Sequence, residues 1–286
     1  MSERFVMCIA LIGLCLTGCM QQAERLNADC PGKVSAQQAL EALSQHKSPH
    51  PFKANGHLFV QFVSDNKDVK QNIPVKLWGQ PPANFYAQGN IAFDAKAVVA
   101  GANEDEFWFS VRLKEISTYC WGKWAEQADI DISGVSLGTL LEIFNIVIDR
   151  NHQADIPNWS LSREGVFDVL TEHNAQGSSI RKLYVYRCDY LVRKIEYLDA
   201  DGRIVATAQM SMYKRIADGF WVPAVIKIRS IAKKDGDNLK LAKLRLNSIR
   251  PTQLIPEQRK RLFSRPDPRG FEHIYRIAED GILEVP

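Results

Sequence analysis

The sequence predicts a mainly β domain of the α+β class, built on an antiparallel sheet. The first observation is a succession of short runs in which apolar and polar residues alternate, at intervals of roughly a dozen residues. The second is the presence of Asp-Gly turns in "DADGR" and "KKDGDN", which join such runs as hairpin turns do. The third is the small number of helical segments, which rules out the strand–helix alternation of a parallel sheet. Strands that follow each other in the chain are therefore expected to be neighbours.

Residues 1–18 have the pattern of a secretory signal and are excluded from the fold. The apolar run from Phe5 to Thr17 is roughly a dozen residues long, whereas a helix that crosses a bilayer needs ~20. The run ends in Leu16-Thr17-Gly18-Cys19, which resembles the lipobox of bacterial lipoproteins, where the cysteine becomes the acylated first residue. An ordinary cleaved signal with an incidental Cys19 is the alternative. Met20 stands where an Asp would resemble an inner-membrane retention signal, so we predict the outer membrane.

Residues 19–33 are polar and are expected to form a flexible tether, followed by a single domain at 34–286. The formal net charge of +3 is too mild to indicate a nucleic-acid-binding protein. If Cys19 is acylated, Cys30, Cys120 and Cys188 remain in a compartment that permits disulfides. At most one bridge can form within the chain, and the sequence does not say which pair forms it.

The domain is predicted to begin with one short helix. Ser35 is a suitable N-cap for "AQQALEALSQ", in which Ala39, Leu40 and Leu43 share one face. Strand-like runs follow: "GHLFVQFV", "IPVKLWG", "ANFYAQGNIAFDA", "DEFWFSVRL", "IRKLYVYR", "LVRKIEYLD", "RIVATAQMSMYKRI", "FWVPAVIKIRSIA" and "LKLAKLRLNSIR".

Two further segments have helical character. "SLGTLLEIFNIVI" at 136–148 carries apolar residues around most of its circumference, so we expect it to be widely covered. "PEQRKRLF", near the C-terminus, fits a short polar helix.

Two of the strand runs place small residues on the face predicted to point inward. In "NFYAQGNIAF" this face carries Phe85, Ala87, Gly89, Ile91 and Phe93. In "RIVATAQMSM" it carries Ile204, Ala206, Ala208, Met210 and Met212. Small residues leave room, and Met adapts to irregular apolar contents, so these faces could line a cavity. The alternative is a filled core in which large residues such as Trp108 or Trp221 oppose the small ones.

The arrangement is similar to the LolA/LolB-like superfamily of bacterial envelope proteins. The segments most like the group are "PVKLWGQPPANFYAQGNIAFDAKAVVAGANEDEFWFSV" and "DYLVRKIEYLDADGRIVATAQMSMYKRIADGFWVPAVIKI". This resemblance implies a strongly curved, unclosed antiparallel half-barrel, covered by a few helices, with an apolar cavity that holds acyl chains of lipids or lipoproteins. The candidate cargo-binding residues are then Phe85, Ala87, Gly89, Ile91, Phe93, Leu140, Leu141, Phe144, Ala206, Ala208, Met210 and Met212.

On this basis we expect a non-enzymatic, monomeric domain, attached to the outer membrane through acylated Cys19, whose partners are the membrane and a lipid or acylated lipoprotein. The alternative is a structural or interaction lipoprotein of the cell envelope with a filled core. Membrane-delivering members of the group carry a protruding loop with an apolar tip. The candidate loops here, "SDNKDVKQN" and "NHQADIPN", are polar apart from Val69 and Ile156, so no tip residue is assigned.

A serine hydrolase is the rival interpretation. Gly134-Val135-Ser136-Leu137-Gly138 matches the G-x-S-x-G nucleophile elbow, and Asp168 with His173 or His273 follows in the required order. That elbow requires a parallel sheet built from βα units, which this sequence does not predict. Ser136 is instead expected to cap the helix at 136–148.

The scattered histidines and acidic pairs predict no metal site, and no cofactor is expected. The basic residues Lys227, Arg229, Lys243, Arg245 and Arg250 alternate with apolar residues on adjacent strands. They could form a cationic outer face directed at anionic headgroups, with an ordinary solvated sheet face as the alternative.

Overall fold

A computed structural model describes the chain from Cys30 onward, with gaps. The described residues are 30–46, 50–64, 67–91, 94–113, 116–126, 131–132, 135–136, 141, 143–144, 158–231, 239–278 and 281–285. The signal sequence, Cys19, Phe93, Leu140 and most of the predicted helix at 136–148 lie outside these ranges.

The described residues form two α-helices and seventeen strands. The helices are α1 (Ala36–Ser44) and α2 (Pro256–Phe263). The strands are β1 (Phe52–Ser64), β2 (Lys67–Gln80), β3 (Asn84–Ile91), β4 (Asp94–Ala102), β5 (Glu106–Leu113), β6 (Ile116–Lys123), β7 (Asp131–Ile132), β8 (Val135–Ser136), β9 (Trp159–Glu164), β10 (Phe167–His173), β11 (Ser179–Tyr186), β12 (Val192–Leu198), β13 (Ile204–Ala217), β14 (Phe220–Ser230), β15 (Leu239–Pro251), β16 (His273–Ala278) and β17 (Gly281–Glu284).

Fifteen of the strands form one sheet in the order β17-β16-β6-β5-β4-β3-β2-β1-β15-β14-β13-β12-β11-β10-β9. The two wings of the sheet, strands β1–β6 on one side and β9–β15 on the other, each form a meander of consecutive hairpins, and β1 and β15 pair in the centre. Strands β16 and β17 extend the first wing beyond β6. All neighbours are antiparallel except β6 and β16. In the part of the chain that the structure describes, the edge strands β9 and β17 are not paired with each other, so the sheet is unclosed. The predicted antiparallel, unclosed fold is confirmed.

The inner face of the sheet carries the main hydrophobic core. Phe52 of β1 and Phe220 of β14 are fully buried and meet edge to face, with ring centroids 5.8 Å apart. The same cluster contains Phe85 from one wing and Ile195 from the other. Because strands far apart in the sheet order share one core, the sheet must curve strongly around it.

The outer face of the β3–β6 wing is also apolar, and α2 covers it. Trp108 and Tyr119, both almost fully buried, form a second cluster with Phe263 at the end of α2. The Tyr119 hydroxyl donates a hydrogen bond to the Pro266 carbonyl at 2.9 Å, and burial raises the pKa of Tyr119 to about 12. The helix predicted at "PEQRKRLF" is therefore present and closes the outer side of this wing.

Alternation along β13 is interrupted at Met212, which corrects one prediction. Met212 has a left-handed backbone (φ 55°) and a 48% exposed side chain, so it does not share the buried face of Ala206, Ala208 and Met210. Tyr213 takes the inward position instead. A residue with positive φ shifts the alternation by one, and a sequence without glycine at that position gives no sign of it.

Candidate cargo-binding cavity

A partly enclosed cavity of about 220 Å³ lies between α1 and the inner face of strands β11–β14. Its lining residues are Leu40, Leu43, His46, Ile143, Trp159, Leu183, Tyr190, Leu191, Val192, Ile195, Met210, Tyr213 and Trp221. A close-packed core has few voids larger than a water molecule, so this space is a distinct feature of the fold. It is somewhat smaller than the ~300 Å³ at which pockets for drug-sized ligands begin, and it suits a short apolar segment.

The cavity presents mainly apolar surface because its tyrosine hydroxyls are engaged by the wall. Tyr213 donates to the Val192 carbonyl and Tyr190 donates to the Asp168 carboxylate. Their rings thus face the cavity while their polar atoms are satisfied elsewhere. One buried nitrogen of His46 has no hydrogen-bond partner in the described part of the chain.

Helix α1 forms one wall of the cavity, and its sequence explains its position. The Ser35 side chain accepts a hydrogen bond from the Gln38 N–H at 3.2 Å, which confirms the predicted N-cap. Ala39 is fully buried in a cluster with Leu170 and Val185, which fixes the helix against the sheet. Leu40 and Leu43, one turn apart on the same face, then point into the cavity.

The segment of residues 30–33, immediately before α1, is attached to the sheet. Cys30 and Cys188 form a disulfide, and the Lys33 N–H donates to the Asp168 carboxylate at 2.8 Å. A Cβ on Gly32 would lie 2.3 Å from that carboxylate, so the chain passes closely over it. The last four residues of the predicted tether thus belong to the domain, and they hold the start of the cavity wall in place.

Asp168 is the centre of this attachment. It is fully buried, and its partners are Tyr190, the Lys33 N–H and, at 3.9 Å, the Arg163 guanidinium. Burial, followed by the Asp168 carboxylate, raises the pKa of Tyr190 above its ordinary value. The Lys33 N–H also donates to the Tyr190 hydroxyl oxygen at 2.9 Å. Loss of the buried carboxylate would therefore leave the Tyr190 hydroxyl without its acceptor and the Lys33 N–H with one acceptor of its two.

Among the described candidates for cargo binding, Met210 lines the cavity and the others lie elsewhere. Ala206 and Ala208 are fully buried in the adjoining core. Phe85 stacks on Phe144, with centroids 5.5 Å apart, and Leu141 is buried beside them. Over these residues the inner face is filled.

The small residues of β3 leave no free space either. A Cβ on Gly89 would lie 2.7 Å from Cγ2 of Ile73, so that glycine is already in close contact. Ala87 is half-buried against the core, and Ile91 is likewise half-buried. Trp159, Leu183 and Trp221 line the cavity but were not predicted to do so. They come together only because α1, near the start of the chain, packs against strands from its second half.

The described structure does not bring together the residues considered for a serine hydrolase, namely Ser136, Asp168 and the histidines His173 and His273. His173 lies 2.9 Å from the Ser160 hydroxyl, and His273 lies 2.9 Å from a Glu284 carboxylate oxygen. Asp168 contacts neither histidine in the described residues, and Ser136 belongs to β8, which pairs only with β7 there. Most of the helix that Ser136 was predicted to cap lies outside the described ranges, so the predicted cap stays a prediction.

Neither described helix has the length and apolar character needed to cross a bilayer. Within the described ranges, no three His, Cys, Asp or Glu side chains come together as a metal site would require. Cys120 is a free thiol in β6, and burial raises its pKa.

No protein-family model and no curated protein matches the sequence. Similar solved structures include a LolA superfamily protein from Nitrosomonas europaea, which is 14% identical with a TM-score of 0.48 and covers 82% of this chain and 99% of its own. A putative outer membrane lipoprotein-sorting protein domain from Vibrio parahaemolyticus is 13% identical, has a TM-score of 0.48, and covers 79% of this chain and 96% of its own. A DUF1329 family protein from Desulfovibrio piger is 12% identical, with a TM-score of 0.47 and coverage of 78% and 93%. At these identities and TM-scores, neither the family nor the cargo of this chain follows from the similarity.

Proposed function

We propose that this protein is a lipid-anchored, non-enzymatic protein of the bacterial envelope that binds an acyl chain in the cavity under α1. The observation that supports cargo binding most is the cavity itself, with aliphatic and aromatic walls and tyrosine hydroxyls turned away. Transfer of apolar groups from water into such a space is favourable in proportion to the area covered. The acyl chain of a lipid or of a lipoprotein has the required chemistry.

Side chains of the core fill much of the inner face of the sheet, and they limit the proposed site to the cavity beside α1. Phe144 and Leu141 pack on the inner face and occupy the region that the small residues were expected to leave open. A cavity of about 220 Å³ therefore takes one segment of one chain. The second candidate function, an envelope interaction protein with a filled core, is favoured by this same packing and predicts no bound lipid.

Substituting Met210→Trp should block the proposed site, because the larger ring would project from β13 into the cavity. With a fluorescent fatty-acid analogue as the probe, we expect about tenfold weaker binding, equivalent to ~1.4 kcal/mol. The matched control is Gln209→Trp, whose side chain lies exposed on the opposite face of the same strand. Equal binding by wild type and both variants, with thermal unfolding showing that all are folded, would favour the filled-core interpretation.

The membrane attachment is proposed from the sequence around Cys19. Two acyl groups are needed for stable attachment because a single chain binds a bilayer only marginally. Cells given labelled palmitate should therefore label the wild-type chain and not Cys19→Ser, and the label should fractionate with the outer membrane. Equal labelling of the two proteins would leave Cys19 without this role.

A further inference from the structure

The basic residues of the chain are concentrated in the middle of the sheet. Five adjacent strands, β2, β1, β15, β14 and β13, contain twelve of the 36 Lys and Arg residues and one of the 33 Asp and Glu residues. The whole chain has a formal net charge of only +3, so the charges are segregated and not merely abundant. Such segregation creates a local field that the net charge conceals.

Eight of these cations share the outer face, opposite the core. The strand register and the inward positions of Phe52, Leu77 and Ile226 place them there. We call this set the basic face: Lys53, Lys70, Lys76, Lys227, Arg229, Lys243, Arg245 and Arg250. These residues lie on four adjacent strands, β2, β1, β15 and β14, which at ~4.8 Å spacing make the basic face about 14 Å wide.

The basic face places like charges directly opposite each other. Lys227 of β14 pairs with Lys243 of β15, and Lys53 of β1 pairs with Arg250 of β15. Opposed like charges destabilise an antiparallel pair, whereas opposite charges at the same positions would stabilise it. The arrangement therefore weakens the sheet locally, and an external anion would relieve the repulsion.

The carboxylate near these strands is used elsewhere. Asp68, the single acidic residue of the five strands, pairs with Lys240, and Arg215 pairs with Asp218 in the next turn. Among the described residues no member of the basic face forms an ion pair with a carboxylate, although Lys240, by its hydrogen bond and charge, and then the charge of Lys70 lower the pKa of Asp68. The neighbouring outer surface over β3–β6 is covered by α2, but Lys53, Lys76, Arg229, Arg245 and Arg250 remain exposed.

We propose that the basic face docks on the anionic headgroups of a lipid bilayer. A broad array of separated cations suits a surface of mobile headgroups, and each basic residue close to an anionic membrane adds attraction. Recognition of nucleic acid would use aromatic side chains on which bases stack. The residues beside the cations on this face include Gln61, Asn72, Thr207 and Gln209, which are polar. Two aromatic residues also lie there, Phe59 opposite Lys243 and Trp78 opposite Lys53. Both are partly buried, and Trp78 packs against the cluster under α2, so they do not form an open stacking surface. This surface lies on the opposite side of the sheet from the cavity, so the inference does not depend on the proposed cargo.

The test measures the acetylation rates of individual lysines in the full chain by mass spectrometry, with a water-soluble acetylating reagent. On vesicles of phosphatidylcholine and phosphatidylglycerol, Lys53 and Lys76 should react about tenfold more slowly than on pure phosphatidylcholine. Raised salt should restore their rates because it screens the attraction. Lys123, 52% exposed and outside the basic face, reports the unprotected rate. An acyl anchor is common to both vesicle types and cannot produce the difference.

The variant Arg229→Glu/Arg245→Glu should abolish this protection while both reporter lysines remain. Losing two cations alone weakens association about 30-fold, and the two added carboxylates weaken it further. The matched control Arg203→Glu/Lys123→Glu makes the same change in net charge outside the basic face, so Lys53 and Lys76 should stay protected in it. Lys123 is replaced in this variant, so Lys182 reports the unprotected rate instead. Equal rates on the two vesicle types, or protection that survives the Arg229→Glu/Arg245→Glu change, would overturn the proposal. Stronger protection by heparin than by anionic vesicles would also overturn it and indicate a soluble polyanion. If the variant does not fold, the wild-type comparison between vesicle types and heparin decides alone.

Discussion

Replacing Cys30 and Cys188 together with serine should lower the free energy of unfolding by about 4–5 kcal/mol. The disulfide joins residues 158 positions apart, so its removal frees a very long loop in the unfolded chain. In the folded state the same bond holds the segment before α1 on the sheet. Equilibrium denaturation of the oxidised wild type and the double variant measures the difference.

The control for this prediction is Cys120→Ser. Cys120 is a half-buried free thiol, so its replacement should cost far less than the loss of the bridge. A loss below about 1 kcal/mol in the Cys30→Ser/Cys188→Ser protein would mean that the bridge does not constrain the fold as its position implies.

The substitution Asp168→Ala should lower the free energy of unfolding by about 3 kcal/mol, the second largest effect that we expect. The substitution leaves the Tyr190 hydroxyl without its acceptor, while the Lys33 N–H keeps only the Tyr190 oxygen at 2.9 Å. Unpaired buried donors carry the full cost of desolvation, and breaking a buried charged network is typically worth several kcal/mol. Asp168→Asn keeps one acceptor oxygen and should cost clearly less. Equal denaturation midpoints for wild type and Asp168→Ala would show that this contact contributes nothing.

The pH dependence of the two proteins gives an independent check on this contact. The pKa of Tyr190 is raised in the folded protein, so the folded state holds its proton above pH ~10, where an unfolded tyrosine releases it. The stabilisation from neutral Tyr190 is therefore complete below pH ~10 and is lost as pH rises through the folded pKa. The loss should be smaller in Asp168→Asn, because the carboxylate that helps raise the pKa is gone. Tyr119 and Tyr184 also have raised pKa values, but both proteins share them.

The disulfide and Asp168 hold the same four residues, so their effects should not add. Once the bridge is gone, residues 30–33 are held less firmly, and removing the Asp168 contact then costs less than it does in the oxidised wild type. Neighbouring sites typically show coupling of 0.5–3 kcal/mol in a double-mutant cycle. The cavity wall depends on this attachment, so both changes should also weaken binding of the fatty-acid probe.

Most of the sheet, and helix α1, could be predicted from residues that are close together in the sequence. Alternation of apolar and polar residues, with Asp-Gly turns between runs, depends on near neighbours, and so does the Ser35 cap of α1. The break at Met212 was not predicted, because its left-handed backbone is imposed by the surrounding sheet and not by a glycine.

The position of the cavity could not be predicted in the same way. Small residues at Ala206 and Ala208 suggested free space, but whether such space stays empty depends on what packs against it. Here the core fills it, and the opening lies beside Met210, where Leu43 of α1 meets Trp159 of β9. The Cys30–Cys188 pairing is equally long-range, and three cysteines allowed three choices of pair.

Photo-crosslinking with a diazirine-bearing fatty acid, followed by peptide mapping, tests the proposed cargo site most directly. Light-activated adducts form on whatever side chains contact the bound chain. Adducts should appear on Leu40 and Leu43 of α1 and on Met210 and Tyr213 of β13. They should disappear in Met210→Trp and persist in Gln209→Trp. Adducts confined to the outer face of the sheet, or none above the level of a denatured control, would contradict acyl-chain binding under α1.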